Sequence, residues 1–153
     1  LSLGILLGLA SPAQDILNLY EHLRSLEKNY PGVEYSLSFP RLKPIKGKNF
    51  IHSYVDDKTF IKIIALTRVL FPRVGINLST RESSQLRDRL LEIGITRMSA
   101  GSNTAVGGYT IKSVEDQDPQ FDVEDKRSVQ EMIGLLKSRN FDPVLTDWRR
   151  IIA

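Results

Sequence analysis

The chain has 153 residues, 41% of them hydrophobic and 25% charged, enough for one domain with a sizeable core. A formal charge of +3 without a long Lys/Arg block gives no nucleic-acid footprint, and no apolar run is long enough to span a membrane. There is no cysteine, which excludes disulfides and thiolate metal sites, and the two histidines, His22 and His52, compose no metal constellation.

In chain order, Leu1–Leu9 is an apolar run interrupted by Gly4 and Gly8 and reads as a buried strand. Ser11-Pro12-Ala-Gln14 then predicts a helix start, with Ser11 as N-cap, Pro12 in the first turn and Gln14 completing a capping box. Ile16, Leu19, Tyr20, Leu23 and Leu26 share one face of that helix, and Tyr30-Pro31-Gly32 ends it. His22 lies inside this helix, where a structural role is expected.

Val33–Phe39 alternates, with Val33, Tyr35, Leu37 and Phe39 on one side and Glu34, Ser36 and Ser38 on the other. The loop that follows holds the densest basic patch, Lys43 to Lys48, together with His52, and reads as solvated. Asp56 is a good N-cap for a second helix with Phe60, Ile63, Ile64, Thr67, Leu70 and Phe71 inward, closed by Pro72.

Val74–Ser79 is the next predicted strand. Ile76 and Leu78 share one face, while Asn77, Ser79 and, by continuation, Arg81 share the other. Ser83 or Ser84 caps a short helix with Leu86, Leu90 and Leu91 inward and Gly94 as its stop. Ile95–Ala100 reads as a fourth strand and runs into the Gly/Ser-rich loop 101–109. After an acidic, irregular stretch over 113–125, Ser128-Val-Gln-Glu131 is a second capping box, opening a helix that Asn140 ends. Phe141–Leu145 is expected to be extended, and Trp148 to anchor the C-terminus.

This βαβαβαβ order, followed by a long loop and a helix, predicts parallel strands with helical crossovers in one undivided domain over 1–153. Each helix has a single apolar stripe, so helices cover one face of the sheet. The rows Ser36–Ser38, Asn77–Ser79–Arg81 and Arg97–Ser99 leave the other face polar, and such a face meets water or a ligand cavity, as inside a barrel.

Ligands of parallel α/β folds gather at the carboxyl ends of strands. Those ends carry Ser38–Arg41, Ser79–Glu82 and Ser99–Thr104. A guanidinium in a polar turn directly before a helix is suited to a carboxylate or phosphate, which makes Arg81 the leading candidate. The plain alternative is a surface pair between Arg81 and Glu82. The loop GSNTAVGG matches no phosphate-loop signature. An anion-sensing α/β module, or a domain that only docks partners, also fits the residues taken alone.

Four motifs in register carry a resemblance: Ser38-Phe-Pro-Arg-Leu-Lys-Pro44, Leu78-Ser-Thr-Arg-Glu-Ser83, Met98-Ser-Ala-Gly-Ser102 with Gly107-Gly-Tyr109, and Asp142-Pro-Val with Asp147-Trp148. Together they resemble the C-terminal half of the 2-iminoacetate synthases, the radical S-adenosylmethionine tyrosine lyases of thiazole biosynthesis. Related lyases act in hydrogenase maturation and on tryptophan; the lack of cysteine favours the thiazole branch.

The resemblance implies strands five to eight of a TIM-type (β/α)8 barrel, with the 4Fe–4S loop and most S-adenosylmethionine contacts on a missing N-terminal half. It implies a cytoplasmic enzyme of thiamine biosynthesis that cleaves L-tyrosine to dehydroglycine and p-cresol, with thiazole synthase downstream. By resemblance, Arg81 binds the substrate carboxylate, Ser99 and Ser79 bond the amino-acid end, and Ser38 and Arg41 shape the neighbouring wall. No catalytic residue and no metal ligand is expected within this chain, which is expected to be inactive alone. A half barrel with two open edges is expected to self-associate.

Overall fold

The computed structural model describes residues 1–43, 53–104 and 123–145. Four parallel strands, β1 (Ser2–Gly4), β2 (Ser36–Ser38), β3 (Gly75–Leu78) and β4 (Arg97–Met98), lie in that order across one sheet. Helices α1 (Pro12–Asn29), α2 (Asp57–Leu70) and α3 (Ser84–Leu90) make the crossovers, and α4 (Val129–Ser138) follows. This is the parallel α/β architecture expected from the alternation, with each strand beside its predecessor.

The register assigns the faces. Leu3, Leu37 and Ile76 align across three strands, with Leu78 beside Met98 further along the same side. Ile16, Leu19 and Leu23 of α1, Phe60 and Ile64 of α2, and Leu86 and Leu90 of α3 join Leu37, Ile76 and Leu78 in one core, so the helices cover this face. On the opposite face Gly4, Ser38, Asn77 and Arg97 align in a row. A Cβ at Gly4 would sit 2.7 Å from the Ser38 Oγ, so a side chain there would make that hydroxyl turn aside.

The strands are shorter than the apolar runs suggest. In place of Ile95–Ala100, β4 holds two residues; at its start the Ile76 N–H takes the Thr96 Oγ1 at 2.8 Å where a strand would offer a carbonyl. The Leu1–Leu9 run leaves the ladder after Gly4 and rejoins it at an isolated Leu7–Arg41 bridge, just before Gly8 turns at φ 110°. Phe141–Leu145 contains no strand.

Helix ends follow the sequence signals with one exception. Asp56, Ser83 and Ser128 cap α2, α3 and α4, and Ser128 with Glu131 closes a complete capping box. Asn140 ends α4 in the left-handed region (φ 62°), with its N–H on the Lys137 carbonyl and the Phe141 N–H on that of Leu136, a Schellman arrangement. The exception is Ser11, which makes no side-chain cap bond; Gln14 instead donates to Asn18. Leu70, expected inward, is 42% exposed. His22 lies on the exposed side of α1, while His52, the loop around Lys46 and Lys48, Gly107–Tyr109 and Asp147–Trp148 fall outside the described residues.

Candidate functional site

The polar residues of the open face gather toward the carboxyl ends of β2, β3 and β4. Ser38 closes β2 opposite Asn77. Ser79 follows β3, and Ser99 follows β4, where its N–H donates to the Leu78 carbonyl at 3.0 Å and carries the ladder one step further. By strand alternation Ser79 and Ser99 continue the face of Asn77 and Arg97. Lower on the same face, the Asn77 amide donates to the hydroxyls of Ser2 and Ser36, each at 3.2 Å. Its Oδ1 is buried without a partner among the described residues, an acceptor left over on the concave side.

The turn after β3 is fixed from both sides. Thr80 is buried, and its carbonyl accepts the N–H groups of Glu124 and Asp125, each at 3.1 Å. The Arg81 N–H reaches the Ser79 Oγ at 3.4 Å. The Arg81 guanidinium is half-buried; burial lowers its pKa, and nearby Glu82 offsets this in part.

Glu82 is not the surface partner that its position beside Arg81 suggests. It is 1% exposed, and both of its oxygens are taken by Arg41. Arg41 Nε lies 3.1 Å from each oxygen, and Nη2 bonds Oε2 as well. Its Nη1 holds the Val55 carbonyl at 2.9 Å and Asp57 at 2.8 Å, and its guanidinium stacks 4.8 Å from the centre of the Phe60 ring. Burial opposes the charge on Arg41, but hydrogen bonds to Glu82 and Asp57 outweigh it and raise the pKa. Arg41 therefore lies within the wall, with its donors spent on protein groups, as a buttress between the ends of β2 and β3.

A second buried cluster supports the end of β4. Arg87 of α3 is fully buried, pairs with Asp125 and donates to the Ser99 carbonyl. Arg127 bonds the same carboxylate and also Asp88, at 2.8 Å. Burial alone would raise the Asp125 pKa, yet the bonds from Arg127 and Arg87 bring it down to about 2. The Gly101 N–H donates to the Arg127 carbonyl at 3.0 Å.

The chain thus assembles Ser38, Ser79 and Ser99 at one end of one face, with Arg81 on the adjoining turn, while Arg41 stands behind them. Arg87 and Asp125 were not legible as members of this region, and the sequence suggests Glu82 as a surface partner of Arg81 rather than as the buried partner of Arg41. A charged residue on a short amphipathic helix, such as Arg87, looks solvated until its partner from a distant loop is known. A concavity of about 870 Å³ opens at the other, amino-terminal end of the strands, between Glu34, Arg68, Arg73 and Arg97. It includes none of the expected site residues.

A 4Fe–4S cluster does not fit the donors present. The chain has no cysteine, and no group of three His, Asp or Glu residues suited to a metal occurs among the described residues. Among the described residues no helix is long and apolar enough to cross a membrane.

Comparison with known proteins extends this geometry. Residues 38–142 match the family model described as the Biotin and Thiamin Synthesis associated domain. Two relatives called 2-iminoacetate synthase, from Salmonella typhimurium and Escherichia coli, are each 36% identical over 149 residues, 97% of this chain. The chain spans 39% of the length of each. Among solved structures, HydG, a maturase of the FeFe-hydrogenase, superposes with a TM-score of 0.83 at 36% identity, over 95% of this chain and 32% of its own. HydG from Carboxydothermus hydrogenoformans gives a TM-score of 0.76 at 36% identity, over 92% of this chain and 32% of its own.

Proposed function

We infer the function from one premise: the chain belongs to the Biotin and Thiamin Synthesis associated domain family. On that premise the chain is the substrate-binding half of a radical S-adenosylmethionine tyrosine lyase, one undivided C-terminal domain over residues 1–153 of a longer cytoplasmic protein. The observation that carries this reading is the polar face itself. Ser38, Ser79 and Ser99 stand at three successive strand ends on one face, with Arg81 on the adjoining turn, and this is the end at which parallel barrels hold their ligands.

In this reading Arg81 forms the fork for the L-tyrosine carboxylate. Ser99 and Ser79 hydrogen-bond the amino-acid end, and Ser38 bounds the cavity. Arg41 shapes the wall through Glu82 rather than by touching substrate. What these residues contribute is position: they hold the substrate so that one hydrogen faces the radical carbon, and fixed geometry of this kind removes much of the entropic cost of transfer. The cluster and its S-adenosylmethionine supply the radical chemistry from residues outside this chain. The finer assignment, cleavage to dehydroglycine and p-cresol for thiamine biosynthesis with thiazole synthase downstream, follows the 2-iminoacetate synthase relatives.

Arg81→Ala in the full-length protein tests the assignment by calorimetry. Leaving a buried carboxylate unpaired costs about 2–5 kcal/mol of L-tyrosine binding. Unchanged affinity would remove Arg81 from the site. The strands β1 and β4 stand at the two sides of the described sheet, so the chain expressed alone is expected to self-associate. Light scattering that stays monomeric at high concentration would discard that part of the proposal.

A further inference from the structure

We propose that Arg87 is a positioning residue that fixes Ser99 at the end of β4 and so sets the direction of the Ser99 hydroxyl. This deepens the reading above and rests on Ser99 facing the substrate there. The Ser99 backbone is held from both sides: its N–H donates to the Leu78 carbonyl at 3.0 Å, and its carbonyl accepts the Arg87 Nη2. Ser99 is exposed, and its hydroxyl makes no bond among the described residues. A fixed backbone with an unspent hydroxyl is suited to present that hydroxyl to a ligand.

The Arg87 bond stands where the ladder gives out. In an unbroken parallel ladder the next bond would run from the Thr80 N–H to the Ser99 carbonyl. Here that carbonyl accepts a guanidinium from α3, and the Thr80 carbonyl accepts the N–H groups of Glu124 and Asp125, each at 3.1 Å. Asp125 also pairs with Arg87 Nη1 and with Arg127, whose carbonyl takes the Gly101 N–H. Segment 124–127 therefore holds the turn after β3 and, through Arg87, the end of β4. Stability alone is a weak reason for this arrangement. Well-packed apolar residues of similar volume are often as stable as a buried ion pair or more so. Arg87 also buries its Nε without a partner among the described residues, a cost that an apolar side chain would not carry. What an apolar side chain cannot do is hold the Ser99 carbonyl.

A double substitution distinguishes this role from a merely structural one. Arg87→Lys keeps the positive charge beside Asp125 but lacks the planar fork that spans the carboxylate and the Ser99 carbonyl. In the full-length protein, calorimetry is expected to show L-tyrosine affinity about fivefold lower in Arg87→Lys and about tenfold lower in Ser99→Ala, the scale of one hydrogen bond. Added to Ser99→Ala, Arg87→Lys is expected to change affinity by less than about twofold, because the hydroxyl that Arg87 positions is already gone. Loss of a structural support would weaken both backgrounds alike. Where Arg87→Lys does not fold, Asp125→Asn replaces it, since it loosens the guanidinium from its anchor, and the same pattern is expected.

Amide hydrogen exchange on the same proteins without ligand gives a second measure. In Arg87→Lys the Ser99 amide is expected to exchange about tenfold faster relative to the Gly75 amide, which donates to the Tyr35 carbonyl at 2.9 Å in the same sheet. Ser99→Ala that binds weakly while Arg87→Lys binds as wild type, an equal loss in both backgrounds, or equal acceleration of the two amides overturns the proposal. Ser99→Ala that binds as wild type, or a wild type that fails to bind L-tyrosine, overturns the reading of the site instead; a selective Ser99 exchange response then still upholds Arg87 as the residue that fixes it.

Discussion

The two faces of the sheet follow opposite rules. On the helix-covered face Leu37 and Ile76 are completely buried in the hydrophobic core. On the other, Ser38, Asn77 and Arg97 stand in register, and the Asn77 Oδ1 lacks a partner among the described residues. A sheet that needed only stability would spend both faces on burial, because apolar area removed from water is the main favourable term in folding. The difference separates a face packed for stability from one that is polar, and substitutions on the two sides are expected to fail differently.

The largest effect is expected behind the covered face, where charge is buried. Arg87→Met leaves Asp125 inside with only Arg127 for company and should cost about 3–5 kcal/mol, read as a lower urea midpoint. Simple cavity formation comes next. Leu37→Ala removes a fully buried side chain and should cost about 2–5 kcal/mol without altering any polar group of the open face. Should Leu37→Ala instead leave the midpoint in place, the covered face would not be the source of stability.

Acid is the next lever. The Asp125 pKa stands at about 2, below the ordinary value of 3.8, so the folded state favours its ionised form. The stability this gives is present above pH 4 and fades as pH falls toward 2, by about 2 kcal/mol in all. Asp125→Asn should flatten that part of the stability–pH curve; an unchanged curve would show that other carboxylates carry the acid transition. The smallest effect belongs to the open face. Ser38→Ala should change stability by less than about 0.5 kcal/mol while weakening L-tyrosine binding in the full-length protein. A large loss of stability there would blur the distinction between the faces.

Local periodicity made the faces legible before any coordinates. Strand alternation placed Ser38, Asn77 and Ser79 opposite Leu37, Ile76 and Leu78, and Asp56, Ser83 and Ser128 marked three helix starts. Strand lengths were not legible in the same way, because a ladder needs donors and acceptors on both neighbours. At the start of β4 the Ile76 N–H takes a Thr96 side-chain oxygen, which no hydropathy pattern reports. Ser11 kept the residue type of a cap without making the bond.

The sequence by itself determined the alternation of strands and helices, the separation of apolar from polar rows, and the position of Arg81 at a strand's carboxyl end. Only the tertiary structure decided which acid each buried arginine would meet. Arg41 and Glu82 lie 41 residues apart and Arg87 and Asp125 lie 38 apart, each pair closed by crossovers rather than by local spacing. Short-range order follows from backbone geometry and repeats with a fixed period. Pairing over such distances depends on where loops end in space, and a carboxylate beside one arginine in the chain can be held by another that arrives from across the sheet.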